Sequence, residues 1–246
     1  MNIICNGNGI GDAVCSLYVL PQGSNFYTRH PDWFRDVQGV NVLPPQALKS
    51  PPDGNTYTED AQNFRKYGKK YTRKEIYGMN IGVGAVKKPR MAKLWKPGTN
   101  IVLLSPFSAW ANREWPVNKW IELSESLSKA GWRVIAIGAP GEAARFKDFT
   151  CECHTDLGPT EVLDLMVSCT ALLGNDSGMA HVAGMYDVPT LAVMDETLGF
   201  RHIFSHTSVR SVKSGVESLS GISVVDAQKA FTNLITERAP GLINKV

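Results

Sequence analysis

The sequence predicts an α/β protein made of two Rossmann-like, doubly wound lobes, the N-terminal one small, and three observations carry that prediction. Apolar runs of strand length, such as Ile101–Ser105, Val134–Ile137 and Thr190–Met194, alternate with amphipathic stretches of helix length, the pattern of a parallel sheet covered by helices. The runs at Asn2–Cys5 and Leu172–Gly174 lead directly into turns able to start a helix, Gly7-Asn8-Gly9-Ile10-Gly11-Asp12 and Asp176-Ser177-Gly178. The stretch Pro89–Gly98 reads as a linker and divides 1–96 from 97–246.

In chain order, Asn2–Cys5 is a strand, the glycine turn follows, and Ala13–Leu20 begins a helix. Phe26–Thr28 and Val40–Leu43 read as short strands flanking Trp33-Phe34, before Pro44, Pro45, Pro51, Pro52, Asp53 and Gly54 interrupt regular structure. Tyr57–Tyr77 reads as helical. Beyond the linker come strand Ile101–Ser105 and helix Val117–Ala130, whose apolar residues at 117, 120, 121, 123 and 127 share a face, with Gly131 as its stop. Strand Arg133–Ile137, a short helix from Gly141, and a helix Thr160–Ser168 with Thr160 as its cap follow. Strand Ala171–Gly174, helix Ser177–Tyr186, strand Thr190–Met194, strand Val209–Val212 and helix Val225–Glu237 complete the series.

At 246 residues, 43% hydrophobic and 20% charged, the chain can bury a substantial core and does not read as disordered. No apolar run approaches the roughly 20 residues of a membrane-spanning helix, and MNIICNGNGIGD has neither the basic nor the apolar region of a secretory leader. The five cysteines are odd in number and scattered, unlike a disulfide framework, so a cytoplasmic protein is expected. Charge is unevenly placed. Eleven Lys or Arg and one acid lie in 65–96, so the net +3 combines a band of +10 with a remainder of −7.

The segment Leu172–Met194 carries the most chemical information. A buried strand runs into Asp176-Ser177-Gly178, and small residues at Gly178, Ala180, Ala183 and Gly184 keep the following helix slim. Free N–H groups at such a terminus attract anions, and glycine admits a phosphate to the backbone; an ordinary capped helix has the same pattern. Ser105-Pro106-Phe107-Ser108, Asn112-Arg113-Glu114-Trp115-Pro116 and Gly138-Ala139-Pro140-Gly141-Glu142 follow two further strands, at the ends where open α/β sheets bind ligands.

Taken together, these motifs resemble the nucleotide-binding lobe of glycosyltransferase family 9, the ADP-heptose:lipopolysaccharide heptosyltransferases of GT-B fold, over residues 100–200. The resemblance implies that Ser108 and Arg113 contact a diphosphate, that Glu142 contacts the ribose, and that Leu157-Gly158 borders the base. It also implies that Asp176 lies near the donor sugar, that the N–H groups of Ser177, Gly178 and Met179 meet phosphate, and that His181 matches a histidine on the same helix. Gly9-Ile10-Gly11-Asp12 resembles the turn that supplies the family's catalytic base, which makes Asp12 the expected base and Gly11 part of the donor-side turn; Asp12 is also a residue type that caps helices. The implied activity is an inverting transfer of sugar from a nucleoside-diphosphate sugar to a hydroxyl, without metal, Arg113 and the helix terminus stabilising the leaving diphosphate. No cofactor is expected, the nucleotide sugar being a substrate, and no Asp-x-Asp metal pair occurs. Two positions depart from the family pattern: Arg113 stands where lysine is usual, and Asp195-Glu196-Thr197 where Gly-Pro-Thr is usual.

The basic band has two readings, a solvated charged helix or a surface for a polyanionic acceptor. Lys69, Lys70, Arg73 and Lys74, interleaved with Tyr67, Tyr71, Tyr77 and Trp95, are the expected contacts in the second. The acceptor is then an anionic saccharide such as lipopolysaccharide core or, alternatively, modified bases of DNA; a non-catalytic nucleotide-binding module is a further alternative. Three weaker signals resolve to bland readings. The Gly7–Asp12 turn ends in aspartate where a dinucleotide fingerprint needs its last glycine. Cys151-Glu152-Cys153-His154 lacks metal-ligand spacing, and His202 and His206 read as loop residues.

Overall fold

The structure, a computed structural model, describes residues 1–7, 9–48, 56–58, 66, 71–96, 99–194 and 218–240, with the backbone of 209–213. Lys69, Lys70 and Tyr67 of the band, Asp195-Glu196-Thr197, and His202 and His206 lie outside the described residues. The chain divides into two compact units, Met1–Lys93 and Leu94–Val246.

In the first unit a parallel sheet takes the order β4-β2-β1-β5, from β1 (Asn2–Ile4), β2 (Asn25–Tyr27), β4 (Asn41–Leu43) and β5 (Thr56–Tyr57). β3 (Val37–Gln38) pairs antiparallel with β6 (Arg90–Met91). Helix α1 (Ile10–Leu17) follows β1, and its apolar run buries Ala13, Val14, Cys15 and Leu17 beside Ile3 and Phe26 of the sheet unit. Of the expected helix at Tyr57–Tyr77, Tyr57 belongs instead to β5, Lys66 is helical, α2 spans Arg73–Asn80, and 59–65 and 67–70 lie outside the described residues. Its start is chemical. Thr72 Oγ1 accepts from the Glu75 N–H at 3.3 Å while Glu75 Oε2 accepts from the Thr72 N–H at 2.7 Å, a reciprocal cap that the band's high charge obscured in the sequence.

The second unit is a six-stranded, wholly parallel sheet of order β12-β11-β10-β7-β8-β9. Its strands are β7 (Ile101–Ser105), β8 (Arg133–Ile137), β9 (Glu152–His154), β10 (Ala171–Asn175), β11 (Thr190–Met194) and β12 (Val209–Lys213). Helices α3 (Val117–Lys129), α4 (Pro159–Ser168), α5 (Gly178–Met185) and α6 (Val224–Arg238) connect or follow them. β7, β10 and β11 are buried at every residue, as strands covered on both faces must be, which is why they read as unbroken apolar runs. One core joins Leu104, Trp115, Trp120, Leu123, Trp132, Phe231 and their neighbours. Gly131, at φ +89, ends α3 in the left-handed conformation that glycine adopts without strain.

One sequence expectation shifts at a helix start. Thr160 lies inside α4; Gly158 is the capping position, its N–H held by Glu161 Oε2 at 2.7 Å, with Pro159 first in the helix where its missing N–H costs nothing. The Cys151–His154 stretch forms edge strand β9, with Arg133 Nη2 of β8 2.7 Å from Glu152 Oε2. Burial pushes the Cys153 thiol up to about 12 and raises Cys151, so both pack as small apolar groups against the core.

In both sheets the chain first winds outward from one strand and then returns to that strand's other side. The reversal falls between β7 and β10 in the second unit and between β1 and β5 in the first. Loops leaving the carboxyl ends of strands at such a reversal diverge and leave a crevice. The turns holding Ser108, Asp176 and Asp12 follow β7, β10 and β1.

Candidate functional site

Register brings the second unit's turns together. Gly174 of β10 pairs with Ser105 of β7, and a Cβ at 174 would lie 2.9 Å from the Ser105 carbonyl oxygen, so only glycine fits there. One residue on, fully buried Asn175 accepts from the Trp115 N–H at 3.0 Å and donates to the Pro106 carbonyl at 2.6 Å. The Asn175 amide thereby fixes the loop after β7 against the end of β10. It is also consumed inside the fold, so although Asn175-Asp176-Ser177 matches an N-glycosylation sequon, the amide is not presented for modification.

On this frame Arg113 Nη1 stands 3.4 Å from Asp176 Oδ2, and Ser108 Oγ donates to the Asp176 carbonyl at 3.5 Å. The latter is a long bond, one the hydroxyl can exchange for a phosphate oxygen. Ser177 is the capping position of α5, yet its buried Oγ has no hydrogen-bond partner among the described residues. A buried hydroxyl left so costs about 1–3 kcal/mol unless a ligand or water satisfies it. Gly178 and Met179 open the helix half-buried, whereas His181 is buried in its first turns.

A second cluster locks the loop from behind. Glu114 Oε1 accepts from the Ser108 N–H at 2.8 Å, and Arg145 grips the same carboxylate through Nη1 at 3.1 Å and Nη2 at 2.5 Å. The guanidinium also lies 3.7 Å over the Phe107 ring and 3.7 Å from Glu142. Hydrogen bonding to Glu114 raises the Arg145 pKa further, so its charge is permanent. Glu142 turns its Oε2 back to the Ala139 N–H at 2.7 Å, and reaches the Ser108 loop through Arg145. Leu157 is half-buried just before α4.

The first unit holds the other candidate group. A Cβ at Gly7 would meet the Asp12 Cβ at 2.6 Å, so glycine there lets the turn close over Asp12; Gly11 is buried beside it. Asp12 Oδ2 accepts from the Gly9 N–H at 3.2 Å, and Oδ1 accepts from Arg73 Nη1 and from the Tyr77 hydroxyl at 3.2 Å. Asp12 is thus the third residue of α1, satisfying the backbone of the capping residue Gly9, and not the cap itself.

The model of glycosyltransferase family 9 (heptosyltransferase) matches residues 69–200, more than half of the chain. The chain belongs to glycosyltransferase family 9. Lipopolysaccharide heptosyltransferase 1 of Pseudomonas aeruginosa is 25% identical over 120 residues, which cover 46% of this chain and 34% of that protein. The chain therefore spans about a third of the length of this curated relative. Among solved structures, E. coli ADP-heptose LPS heptosyltransferase II superposes with TM-score 0.73 at 14% identity, covering 96% of this chain and 98% of that one. The iron-containing dodecameric glycosyltransferase TibC of enterotoxigenic E. coli gives TM-score 0.70 at 14% identity over 96% and 76%. The family's GT-B architecture of Rossmann-like lobes is the fold of this chain.

For this family 9 member, Ser108, Arg113, Asp176, Ser177 and Gly178 come together at one sheet reversal, with Glu142 joined to them through Arg145. The polyanion expectation needs revision at Lys74, Tyr77 and Trp95. Lys74 is 1% exposed, its Nζ 3.3 Å from the centroid of the Tyr18 ring, and desolvation lowers its pKa to about 8. Tyr77 is buried against Asp12, and Trp95 donates from Nε1 to the Cys169 carbonyl at 2.7 Å in the second unit's core. Alternating cations and aromatics resembled a stacking surface because a buried amphipathic helix and a linker anchor share that composition. Glu114, Arg145, Asn175 and the Arg73–Asp12 pair were missed. Glu114 and Asn175 adjoin identified residues, and Arg145 follows Glu142 by three, so adjacency to Arg113, Asp176 and Glu142 was the available signal.

Proposed function

We propose that the protein transfers a sugar from a nucleoside-diphosphate sugar to a hydroxyl of an anionic acceptor, with inversion at the anomeric carbon. The observation that carries this reading is the set of groups at the β7/β10 reversal: the Arg113 guanidinium, the exchangeable Ser108 hydroxyl, the unpartnered Ser177 hydroxyl and the first N–H groups of α5. All are donors to anionic oxygen, aimed where open α/β sheets hold phosphates.

Asp12 takes the proton of the acceptor hydroxyl, whose oxygen forms the new bond to the anomeric carbon as the bond to the diphosphate breaks. The bonding electrons leave with the nucleoside diphosphate. A single displacement of this kind inverts the centre. Arg113, Ser108, Ser177 and the Gly178 and Met179 N–H groups meet the charge that grows on the diphosphate, fixed donors needing no reorganisation at that moment. That charge stabilisation supports transfer without a metal. Among the described residues no three or more His, Cys, Asp or Glu stand together as a ligand set, so iron of the kind named for TibC has no fitting site there. Exposed Lys87, Lys88, Arg90 and Lys93 support an anionic acceptor.

The name of the E. coli structural relative includes ADP-heptose, which makes an adenine nucleotide the first donor to try. Thermal shift with ADP-, UDP-, GDP- and dTDP-sugars tests the reading, since a ligand of the native state raises its melting point. Stabilisation by one nucleotide class is expected. A flat response to all four would contradict a nucleotide-sugar site.

A further inference from the structure

We propose that Arg73 and Tyr77 are positioning residues for the Asp12 carboxylate, and that Asp12 Oδ2 is the oxygen that accepts the proton. The inference rests on the reading of Asp12 as the base and adds which oxygen acts and what aims it. The two oxygens of this carboxylate are not equivalent. Among the described residues, Oδ1 accepts two side-chain bonds, from the Arg73 guanidinium and the Tyr77 hydroxyl, whereas Oδ2 accepts the Gly9 N–H at 3.2 Å and no other. A carboxylate oxygen offers about two acceptor sites, so Oδ1 is saturated and Oδ2 keeps one lone pair for a proton.

Arg73 and Tyr77 lie four residues apart and so share one face of α2, directed at the start of α1. Both ends of the arrangement are rigid. Tyr77 is fully buried, and Gly7 leaves no room beside the Asp12 Cβ, since a Cβ at Gly7 would lie 2.6 Å from it. Asp12 itself is mostly buried, its side chain 14% exposed, so it cannot swing to another rotamer without breaking both bonds to Oδ1. The charged and titratable groups facing it among the described residues are Arg73 and Tyr77; Lys74, next on α2, turns to the Tyr18 ring instead. The guanidinium and the Tyr77 hydroxyl fix the direction of the lone pair that Oδ2 keeps. In the catalytic cycle the acceptor's proton bonds to Oδ2 while Arg73 and Tyr77 stay on Oδ1, and the proton then passes to water, restoring the ionised carboxylate.

The test is the side-chain carboxyl 13C titration of Asp12, assigned by its disappearance in Asp12→Asn, in the wild type and in Arg73→Gln, Arg73→Lys and Tyr77→Phe. The Arg73→Gln midpoint should move to higher pH, Arg73→Lys should restore most of the wild-type value, and Tyr77→Phe should shift it less than Arg73→Gln. In transfer assays with the donor found by thermal shift, Arg73→Gln should lose at least tenfold in kcat with the donor KM within twofold, and the acid limb of its pH profile should follow the NMR midpoint. An unmoved midpoint in Arg73→Gln, or equal effects of Arg73→Gln and Arg73→Lys, overturns the proposal. If Arg73→Gln does not fold, an unshifted Tyr77→Phe titration does the same. Retained transfer by Asp12→Asn defeats the base assignment separately, whatever the titration shows.

Discussion

Replacing Lys74 by methionine removes an ammonium that the fold holds at 1% exposure against the Tyr18 ring. Burial is the largest cause of its lowered pKa, from the ordinary 10.5 to about 8; Coulombic attraction to Cys15 opposes the shift and Lys88 adds to it. A shift of that size corresponds to about 3 kcal/mol, at 1.36 kcal/mol per pH unit. The sign follows from proton counts. Between pH 8 and 10.5 the unfolded lysine is protonated and the native one is not, so wild-type stability rises through that window and the full cost is present below it. The methionine variant has no such dependence. The stability of wild type minus Lys74→Met should therefore increase by about 3 kcal/mol from pH 7 to 10.5. The cation–π contact with Tyr18 contributes about 0.5–2 kcal/mol at pH 7, less than the desolvation cost, so the variant should be the more stable protein there. Urea denaturation followed by far-ultraviolet circular dichroism, with reductant present, measures the difference at each pH. A gap that is constant from pH 7 to 10.5 would refute the argument, because it would mean that the lysine is solvated or already neutral.

Three further outcomes follow from the second unit and the glycine turn. Arg145→Met strips Glu114 of its bidentate partner and frees the Ser108 loop; ADP affinity by calorimetry should fall about tenfold, roughly 1.4 kcal/mol, and unchanged affinity would separate the clamp from the site. Gly174→Ala drives a methyl to 2.9 Å from the Ser105 carbonyl oxygen between two central strands, and should cost about 1–3 kcal/mol in denaturation, whereas Gly141→Ala, with open space around it, should be near neutral. Gly7→Ala places a Cβ 2.6 Å from the Asp12 Cβ and should depress transfer while leaving ADP affinity within twofold.

Much of this fold was legible because its signals are local. Ile101–Ser105, Ala171–Asn175 and Thr190–Met194 are buried on both faces, so each is a compact apolar run bounded by polar turns, and Gly131 marks its helix end by conformation alone. The placement of Ser108, Arg113 and Asp176 beyond strand ends was legible because each follows such a strand. Contacts between distant segments were not. Arg73 and Tyr77 meet Asp12 across more than sixty residues, and nothing in 65–96 distinguishes a cation that pairs inward from one that faces water. Lys74 illustrates the same limit, since burial of a lysine depends on Tyr18 and its neighbours in α1. The start of α4 moved for a related reason: the capping residue Gly158 has no side chain and its N–H is held by Glu161 three residues on, so a rule that looks for Ser or Thr picks Thr160 instead.

In the proposed reaction one aspartate does the proton chemistry and a separate set of donors holds the nucleotide. The direct measurement is Asp12→Asn, a near-isosteric change that keeps one acceptor oxygen for the Arg73 and Tyr77 bonds, assayed in parallel for ADP binding by calorimetry and for sugar transfer. ADP affinity within twofold of wild type together with at least a hundredfold loss of kcat is predicted, general base catalysis contributing about 10²–10⁴. Transfer at the wild-type rate by Asp12→Asn would contradict it.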